Sequence, residues 1–111
     1  EIPAQVIKRG DGILAFADRT PQAPTHLLVI PTHHVGSLND ARDAKLLGNL
    51  LAFARDLATE RGLATKGYRV VVTTNPDGGQ TVFHLHLHVL GGRPMTWPRS
   101  SLGRVRQRRA R

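Results

Sequence analysis

Residues 80–90 read Gln80-Thr81-Val82-Phe83-His84-Leu85-His86-Leu87-His88-Val89-Leu90. Three histidines alternate here with aliphatic residues, which is the period of a β-strand with one buried face. On such a strand the histidines project to one side, about 6.8 Å apart at about 3.4 Å per residue. Imidazole titrates near neutral pH and can act as nucleophile, acid, base or metal ligand. Three rings used as core filler would need partners for several buried nitrogens, so the pattern favours a chemical site.

A glycine-containing loop directly precedes this predicted strand. Residues 75–81 read Asn75-Pro76-Asp77-Gly78-Gly79-Gln80-Thr81, in which Asn-Pro and Asp-Gly are turn signals. Paired glycines permit positive φ angles and let the backbone approach a ligand closely. The N–H groups of such a loop can converge on an anion. Because the loop stands immediately before three histidines, it predicts a phosphate cradle.

The sequence resembles the histidine-triad (HIT) family. That family's pattern is His-φ-His-φ-His-φ-φ, with φ apolar, and residues 84–90 satisfy every position. Further segments resemble the HINT branch of the family, the nucleoside phosphoramidases: residues 14–18, 21–31, 77–83 and 91–98. The resemblance covers residues 1–98. A third histidine at His88 argues against the uridylyltransferase relatives, which carry glutamine there, and Trp97-Pro98 argues against the dinucleoside-polyphosphate hydrolases.

The resemblance implies hydrolysis of a purine nucleoside phosphoramidate of the AMP-amine type, without a cofactor. It places the nucleophile at His86, which would form a nucleotidyl-imidazole that water then resolves. The other ring nitrogen of this histidine must donate a hydrogen bond, so that the attacking nitrogen keeps its lone pair. His88 and the segment Gly79-Gln80-Thr81 would hold the phosphate oxygens. His84 and His26 would complete a polar relay around the nucleophile.

The same resemblance implies residues for the nucleoside. Asp18 matches the family's ribose-binding carboxylate, and Phe16 and Ile2 match the apolar walls of the base pocket. Two positions depart from the family pattern. Arg19 stands where an aliphatic residue usually lies beside the base, which puts the base preference in question. Thr73 stands where asparagine usually holds the phosphate side, and threonine is shorter and lacks an amide.

The rest of the pattern predicts an α+β fold, a five-stranded antiparallel sheet with one long helix on one face. The predicted strands cover residues 5–8, 13–17, 26–30, 68–74 and 83–90. Capping groups in Ser37-Leu38-Asn39-Asp40 predict the start of the helix, which ends near Arg61 with Gly62 as its stop. Its apolar stripe predicts packing on the aliphatic face of the last strand, which leaves the histidines open to a ligand. The resemblance also implies a homodimer in which the sheet continues across two copies.

Charge is concentrated at the end of the chain. The net charge is +8, but residues 99–111 contain six arginines and no acid. We therefore predict a HIT domain at residues 1–98 and a basic, disordered tail at residues 99–111. The tail could contact nucleic acid through phosphates, although a solvated extension is the favoured interpretation.

Composition excludes several other classes of protein. The chain has 111 residues and no cysteine, which excludes disulfides and thiolate zinc sites. No apolar run approaches the roughly 20 residues of a membrane span. No signal peptide is visible, and we expect a cytoplasmic protein that does not associate with membranes.

Two other functions are compatible with parts of the sequence. In one, the histidines at 84, 86 and 88 bind a transition metal, but the three span roughly 14 Å on a strand, too far for a single ion without distortion. We therefore expect no metal. In the other, the protein keeps the nucleotide pocket but works as a binding or scaffolding module that uses its basic tail. Catalysis and binding use the same residues, so the sequence leaves this second function open.

Overall fold

Five strands form one antiparallel sheet in the computed structural model, which describes residues 5–97. The strands are β1 Val6–Gly10, β2 Ile13–Ala17, β3 Thr25–Pro31, β4 Tyr68–Val71 and β5 Leu87–Gly91. Their order across the sheet is β1-β2-β3-β5-β4, so β1 and β4 are the edges. The predicted five-stranded antiparallel sheet is confirmed. Ile2 and the predicted tail at residues 99–111 lie outside the described residues.

The strand register defines two faces of the sheet. Phe16 pairs with Leu28, Leu28 with His88, and His88 with Val71. Directly paired residues in antiparallel strands project to the same side. We call the side that carries these four residues the histidine face.

The long helix α1, Ala44–Glu60, begins later than predicted. Ser37 instead caps a short 3₁₀ turn at Leu38–Asp40, and the side chain of Asp43 accepts an N–H of the first turn of α1 at 2.9 Å. Two capping residues six positions apart therefore divide the segment into two helical pieces. The predicted end is close to the observed one, because Gly62 adopts a φ of 76° one residue beyond the C-cap.

Helix α1 packs against the face of the sheet opposite the histidines, which confirms its predicted position. The buried cluster joins its residues Leu50, Ala54, Leu57 and Ala58 to the strand and loop residues Ile13, Ala15, Leu27, Val29, Val35, Leu63, Leu85, Leu87 and Val89. Among residues 5–97, no helix is long and apolar enough to cross a membrane.

The predicted last strand at residues 83–90 is wrong at its start, since β5 begins only at Leu87. The β3–β5 register pairs Val29 with Leu87, so Pro31 would be the next partner for Leu85. The odd-numbered residues of β3 direct their backbone hydrogen bonds to β5, and Pro31 has no N–H to donate in that direction. The ladder therefore stops, and the N–H of Leu85 donates to the carbonyl of Val35 instead, at 2.6 Å.

The predicted fourth strand at residues 68–74 is also too long. Strand β4 ends at Val71, and a single helical turn, α2 Asn75–Gly78, occupies the segment read as a glycine loop. Gly79 ends this turn with a φ of 92°, a left-handed conformation that favours glycine. The loop is thus a compact turn that leads from β4 toward the histidines.

Candidate active site

The segment that leads into β5 carries two of the triad histidines. His84 and His86 precede the strand, whereas His88 lies within it. All three are half-buried, and the intervening Leu85 and Leu87 are buried. The ring centroids of His86 and His88 lie 4.9 Å apart. The alternation read from the sequence therefore continues beyond the hydrogen-bonded sheet.

One backbone carbonyl fixes the protonation pattern of His86. The Nδ1 atom of His86 lies 2.6 Å from the carbonyl oxygen of His84. A carbonyl can only accept, so Nδ1 must carry the ring proton. The Nε2 atom of the neutral ring then keeps its lone pair, which is the state that a nucleophile requires.

His84 anchors the segment that holds this carbonyl. Its Nε2 donates to the carbonyl oxygen of Pro31 at 3.0 Å. Its Nδ1 lies 3.3 Å from Nδ1 of the exposed His34, so the two rings form a second histidine pair. The side chain of His84 therefore donates to the Pro31 carbonyl that a longer β-ladder would have used as a backbone acceptor. This hydrogen bond holds the segment around His84 beside β3.

His26 and His88 form a directed hydrogen-bonded pair. The backbone N–H of Gln22 donates to Nδ1 of His26 at 3.0 Å, so the proton of the neutral ring sits on Nε2. That Nε2 lies 2.9 Å from Nδ1 of His88. His88 accepts this proton's hydrogen bond and carries its own proton on Nε2. The pair therefore presents an N–H donor of His88 to the histidine face.

Both members of this pair stay neutral near pH 7. Burial, and to a smaller extent the neighbouring His86 and His26, lower the pKa of His88 to about 4, although Asp18 opposes the shift. Burial also lowers the pKa of His26, and Asp18 again opposes it. The contact between His26 Nε2 and Asp18 Oδ2 at 3.3 Å therefore places the carboxylate beside a neutral ring, whose single Nε2 proton is donated to His88.

Asp18 is oriented by its own turn. Its Oδ1 accepts the backbone N–H of Thr20 at 2.9 Å, and its Oδ2 faces His26. It follows β2 directly, one strand away from His26 on β3. Phe16 lies half-buried on the histidine face, whereas Arg19 is exposed. The carboxylate and Phe16 thus lie on the β2 side of His88.

Gln80 is hydrogen-bonded within the loop that precedes the triad. Its side chain is only 4% exposed. The amide donates to the carbonyls of Gly36 and Val82 at 2.9 and 3.0 Å, and its oxygen accepts the N–H of Asn75 at 2.8 Å. The backbone N–H of Gln80 donates to the carbonyl of Asn75. With these groups committed, the side chain of Gln80 braces the loop, and the phosphate contact predicted for the segment Gly79-Gln80-Thr81 stays a prediction.

The other predicted phosphate residues remain near the histidines. The N–H of Gly79 closes the turn of α2 on Pro76 at 3.0 Å. Gly79 lines a cavity of about 440 Å³ on the histidine face together with Thr73, His26 and His88. Thr81 is exposed and follows Gln80 directly. The structure therefore brings Thr73 and Gly79 to the same cavity as His88.

The donor set around His26 fits a hydrogen-bonded relay better than a metal site. Asp18, His26 and His88 each offer one ligand atom, and these atoms lie within 4.8 Å of one another. A metal on Nε2 of His26 would move the ring proton to Nδ1, where it would face the N–H of Gln22. Within residues 5–97 this ligand group includes neither His84 nor His86, so the rival triad metal site is not assembled.

Sequence reasoning missed three contributors to this site. Gln22 acts through its backbone N–H, which any residue except proline could supply, so no local pattern identifies it. Arg69 and Arg93 line the same cavity from β4 and from the loop after β5. Arg69 could have been found from the alternation of β4, which places it on the histidine face opposite Leu90.

In sequence and in fold, this chain is similar to known proteins of one family. The HIT domain family model matches residues 1–95. The purine nucleoside phosphoramidase of Escherichia coli K12 is 43% identical over 97 residues, which are 86% of this chain and 82% of that protein. An uncharacterized HIT-like protein of Synechococcus elongatus is 50% identical over 100 residues, 88% of this chain and 87% of that protein. A crystal structure of a HIT family hydrolase from Legionella pneumophila is 54% identical, with a TM-score of 0.83 and coverage of 87% and 88% of the two chains.

The neutral state of His88 makes stability depend on pH. A histidine in the unfolded chain titrates near pH 6.5, whereas the pKa of folded His88 is about 4. Between these values the unfolded chain binds a proton that the folded chain does not, so the free energy of unfolding falls as the pH drops through this window. We expect His88→Gln to flatten this slope in urea unfolding, because glutamine can still accept from His26 without titrating. An unchanged slope, or an NMR titration of His88 near pH 6.5, would contradict the neutral pair.

Proposed function

We propose, on the premise that the chain belongs to the HIT domain family, that it hydrolyses purine nucleoside phosphoramidates through a nucleotidyl-histidine intermediate. The observation that carries the proposal is the 2.6 Å contact between Nδ1 of His86 and the carbonyl of His84, which leaves Nε2 unprotonated. Similarity to the hydrolase from Legionella pneumophila supports an enzymatic function. Similarity to the purine nucleoside phosphoramidase from Escherichia coli supports the substrate class.

The reaction proceeds in two displacements at the α-phosphorus. Nε2 of His86 attacks, the P–N bond to the amine breaks, and the amine leaves after taking up a proton. Water then attacks the nucleotidyl-histidine, releasing the nucleoside monophosphate and returning the lone pair to Nε2. Splitting one displacement into two easier steps is the general advantage of a covalent nucleophile.

The residues that contact the phosphate oxygens are uncharged. His88 donates from Nε2 to a phosphate oxygen, supported by the hydrogen bond from His26. Such fixed donors stabilise the charge that develops in the transition state. Thr73 and Thr81 hold the remaining oxygens, and Gly79, which has no side chain, lets a phosphate lie close to the backbone in the cavity that it shares with Thr73 and His88.

The nucleoside extends toward β2. Asp18 accepts hydrogen bonds from the ribose hydroxyls, and its orientation by Thr20 supports this role. Phe16 packs against the base, and Arg19 lies exposed beside it. Ile2 is assigned to the same pocket from the sequence alone.

The proposal includes a homodimer and a cytoplasmic location. Strand β4 is an edge of the sheet, with backbone groups open to pairing. A groove of about 380 Å³ runs between α1 and β4, and its lining is largely apolar: Gly48, Leu51, Ala52, Arg55, Tyr68 and Val70. Leu51 in this groove is 56% exposed, which a second copy would cover.

The nucleophile is tested by removing its ring. We expect His86→Ala to abolish release of a fluorogenic amine from an adenosine phosphoramidate, because no other group replaces the attacking nitrogen. Binding of AMP should change by less than about tenfold, since the phosphate contacts remain. Steady-state turnover and isothermal calorimetry measure the two quantities. His33→Ala, which removes an exposed histidine from a loop, is the matched control and should retain wild-type turnover.

Substantial turnover by folded His86→Ala would rule out the covalent mechanism. If wild type binds AMP but releases no amine, the scaffolding function is favoured instead.

A second test concerns metal. The nucleophile and the phosphate donors are all protein groups in this proposal, so turnover should persist in excess EDTA. Activity lost in EDTA and restored by zinc would contradict the relay described for His26 and would favour a metal mechanism.

A third test concerns the dimer. We expect wild type to sediment as a dimer and Leu51→Glu to sediment as a monomer, because the change buries a charge in the apolar groove. Leu38→Glu is the matched control, since Leu38 is also exposed, at 41%, but lies in the 3₁₀ turn before α1. Equal sedimentation of the two variants would place the interface elsewhere.

A further inference from the structure

Two arginines line the cavity beside His88, and neither has a carboxylate partner within residues 5–97. Arg69 lies on β4, paired with Leu90, and therefore faces the same side as His88. Arg93 lines the cavity from the loop after β5. The salt bridges among residues 5–97 are Lys8–Glu60, His26–Asp18 and Arg55–Asp56, and they include neither arginine. The lining residues include no acid.

Backbone and aromatic contacts hold the two guanidinium groups. Arg93 donates from Nη2 to the carbonyl of Gln22 at 2.7 Å and from Nη1 to the carbonyl of Pro94 at 3.0 Å. Arg69 lies half-buried, with its Cζ 5.9 Å from the ring centroid of Trp97. Backbone carbonyls hold the Arg93 guanidinium, and the exposed Trp97 ring lies beside that of Arg69; these partners are neutral, so the positive charge stays available to a ligand.

The cavity is longer than one phosphate. Its lining runs from Thr73 and Gly79, after β4, to Arg69 on β4 and Arg93 in the loop after β5. Thr73, Gly79 and His88 mark the phosphate end. The volume of about 440 Å³ falls in the range of small-molecule sites. Space for a second group therefore remains between the phosphate end and the arginines.

The order of the strands decides which part of the substrate fills this space. Asp18 and Phe16 lie on the β2 side of His88, with β3 between, whereas Arg69 lies on β4, beyond β5. The nucleoside and the amine diverge from the same phosphorus. If the nucleoside extends toward β2, the leaving amine lies toward β4 and the two arginines.

We propose that Arg69 and Arg93 bind the leaving group and select amines that carry a negative charge, as a carboxylate or a phosphate. This inference rests on the proposed phosphoramidase function. Arginine stays charged at all relevant pH values and binds either anion through two parallel hydrogen bonds. Such selection acts on kcat/KM for one amine relative to another.

The test compares three adenosine 5′-phosphoramidates, those of glycine, glycinamide and aminomethylphosphonate. Glycine and glycinamide have similar size and differ in charge. Their intrinsic reactivity differs too, but that difference cancels when the ratio of their kcat/KM values is compared between wild type and variants. We expect the glycine-to-glycinamide ratio to fall about tenfold in Arg69→Gln and in Arg93→Gln, and to be retained better in Arg69→Lys. Arg61→Gln, on the far side of the sheet at the end of α1, should leave the ratio unchanged.

The outcomes separate this inference from the function on which it rests. Wild type that hydrolyses none of the three compounds overturns both. Wild type that hydrolyses them with ratios unchanged in both glutamine variants overturns only the arginine assignment. Arg93→Gln loses the contact to Gln22. If this variant does not fold, the ratio measured for Arg69→Gln alone tests the arginine assignment. A larger loss for the phosphonate than for glycine identifies phosphate-bearing leaving groups, and the reverse identifies carboxylates.

Discussion

The whole site depends on the hydrogen bond that His86 donates to the carbonyl of His84. Within one neutral ring, fixing the proton on Nδ1 fixes the lone pair on Nε2. The carbonyl is available because the chain has already left the sheet at this point. Pro31 lacks the N–H that would have continued the β3–β5 ladder, and its own carbonyl is taken by His84. A missing backbone donor on β3 thus determines which ring nitrogen of His86, just before β5, carries the proton.

His26 and His88 obey the same rule of fixed tautomers without net charge. Gln22 sets the proton of His26, and His26 sets the proton of His88. A charged ring here would carry the cost of burial, and the low pKa of His88 shows that this cost outweighs the attraction of Asp18. Asp18 is the charged group that contacts this pair, and Arg69 and Arg93 line the cavity from β4 and from the loop after β5.

The sequence predicted which residues share a face better than it predicted where elements end. Alternation alone gave the buried Leu85 and Leu87 and the half-buried histidines, because a side chain's direction is a local property of extended backbone. The start of β5 depended on its register against Pro31, which is set by strands far apart in the chain. The helix start was misplaced because Ser37 and Asp43 both carry capping groups, and packing decides which one caps α1.

The candidate site shows the same division. Residues that act through their own chemistry, such as His86 and His88, stand out in a motif. Residues that act through long-range contacts do not: Gln22 contributes a backbone N–H, and Arg93 reaches Gln22 across 71 positions of sequence. Gln80 was predicted as a phosphate contact because a polar residue beside glycines is typical of a phosphate loop. Its structural role could not be predicted, since it depends on burial and on long-range contacts: the amide satisfies three backbone groups and stabilises the loop.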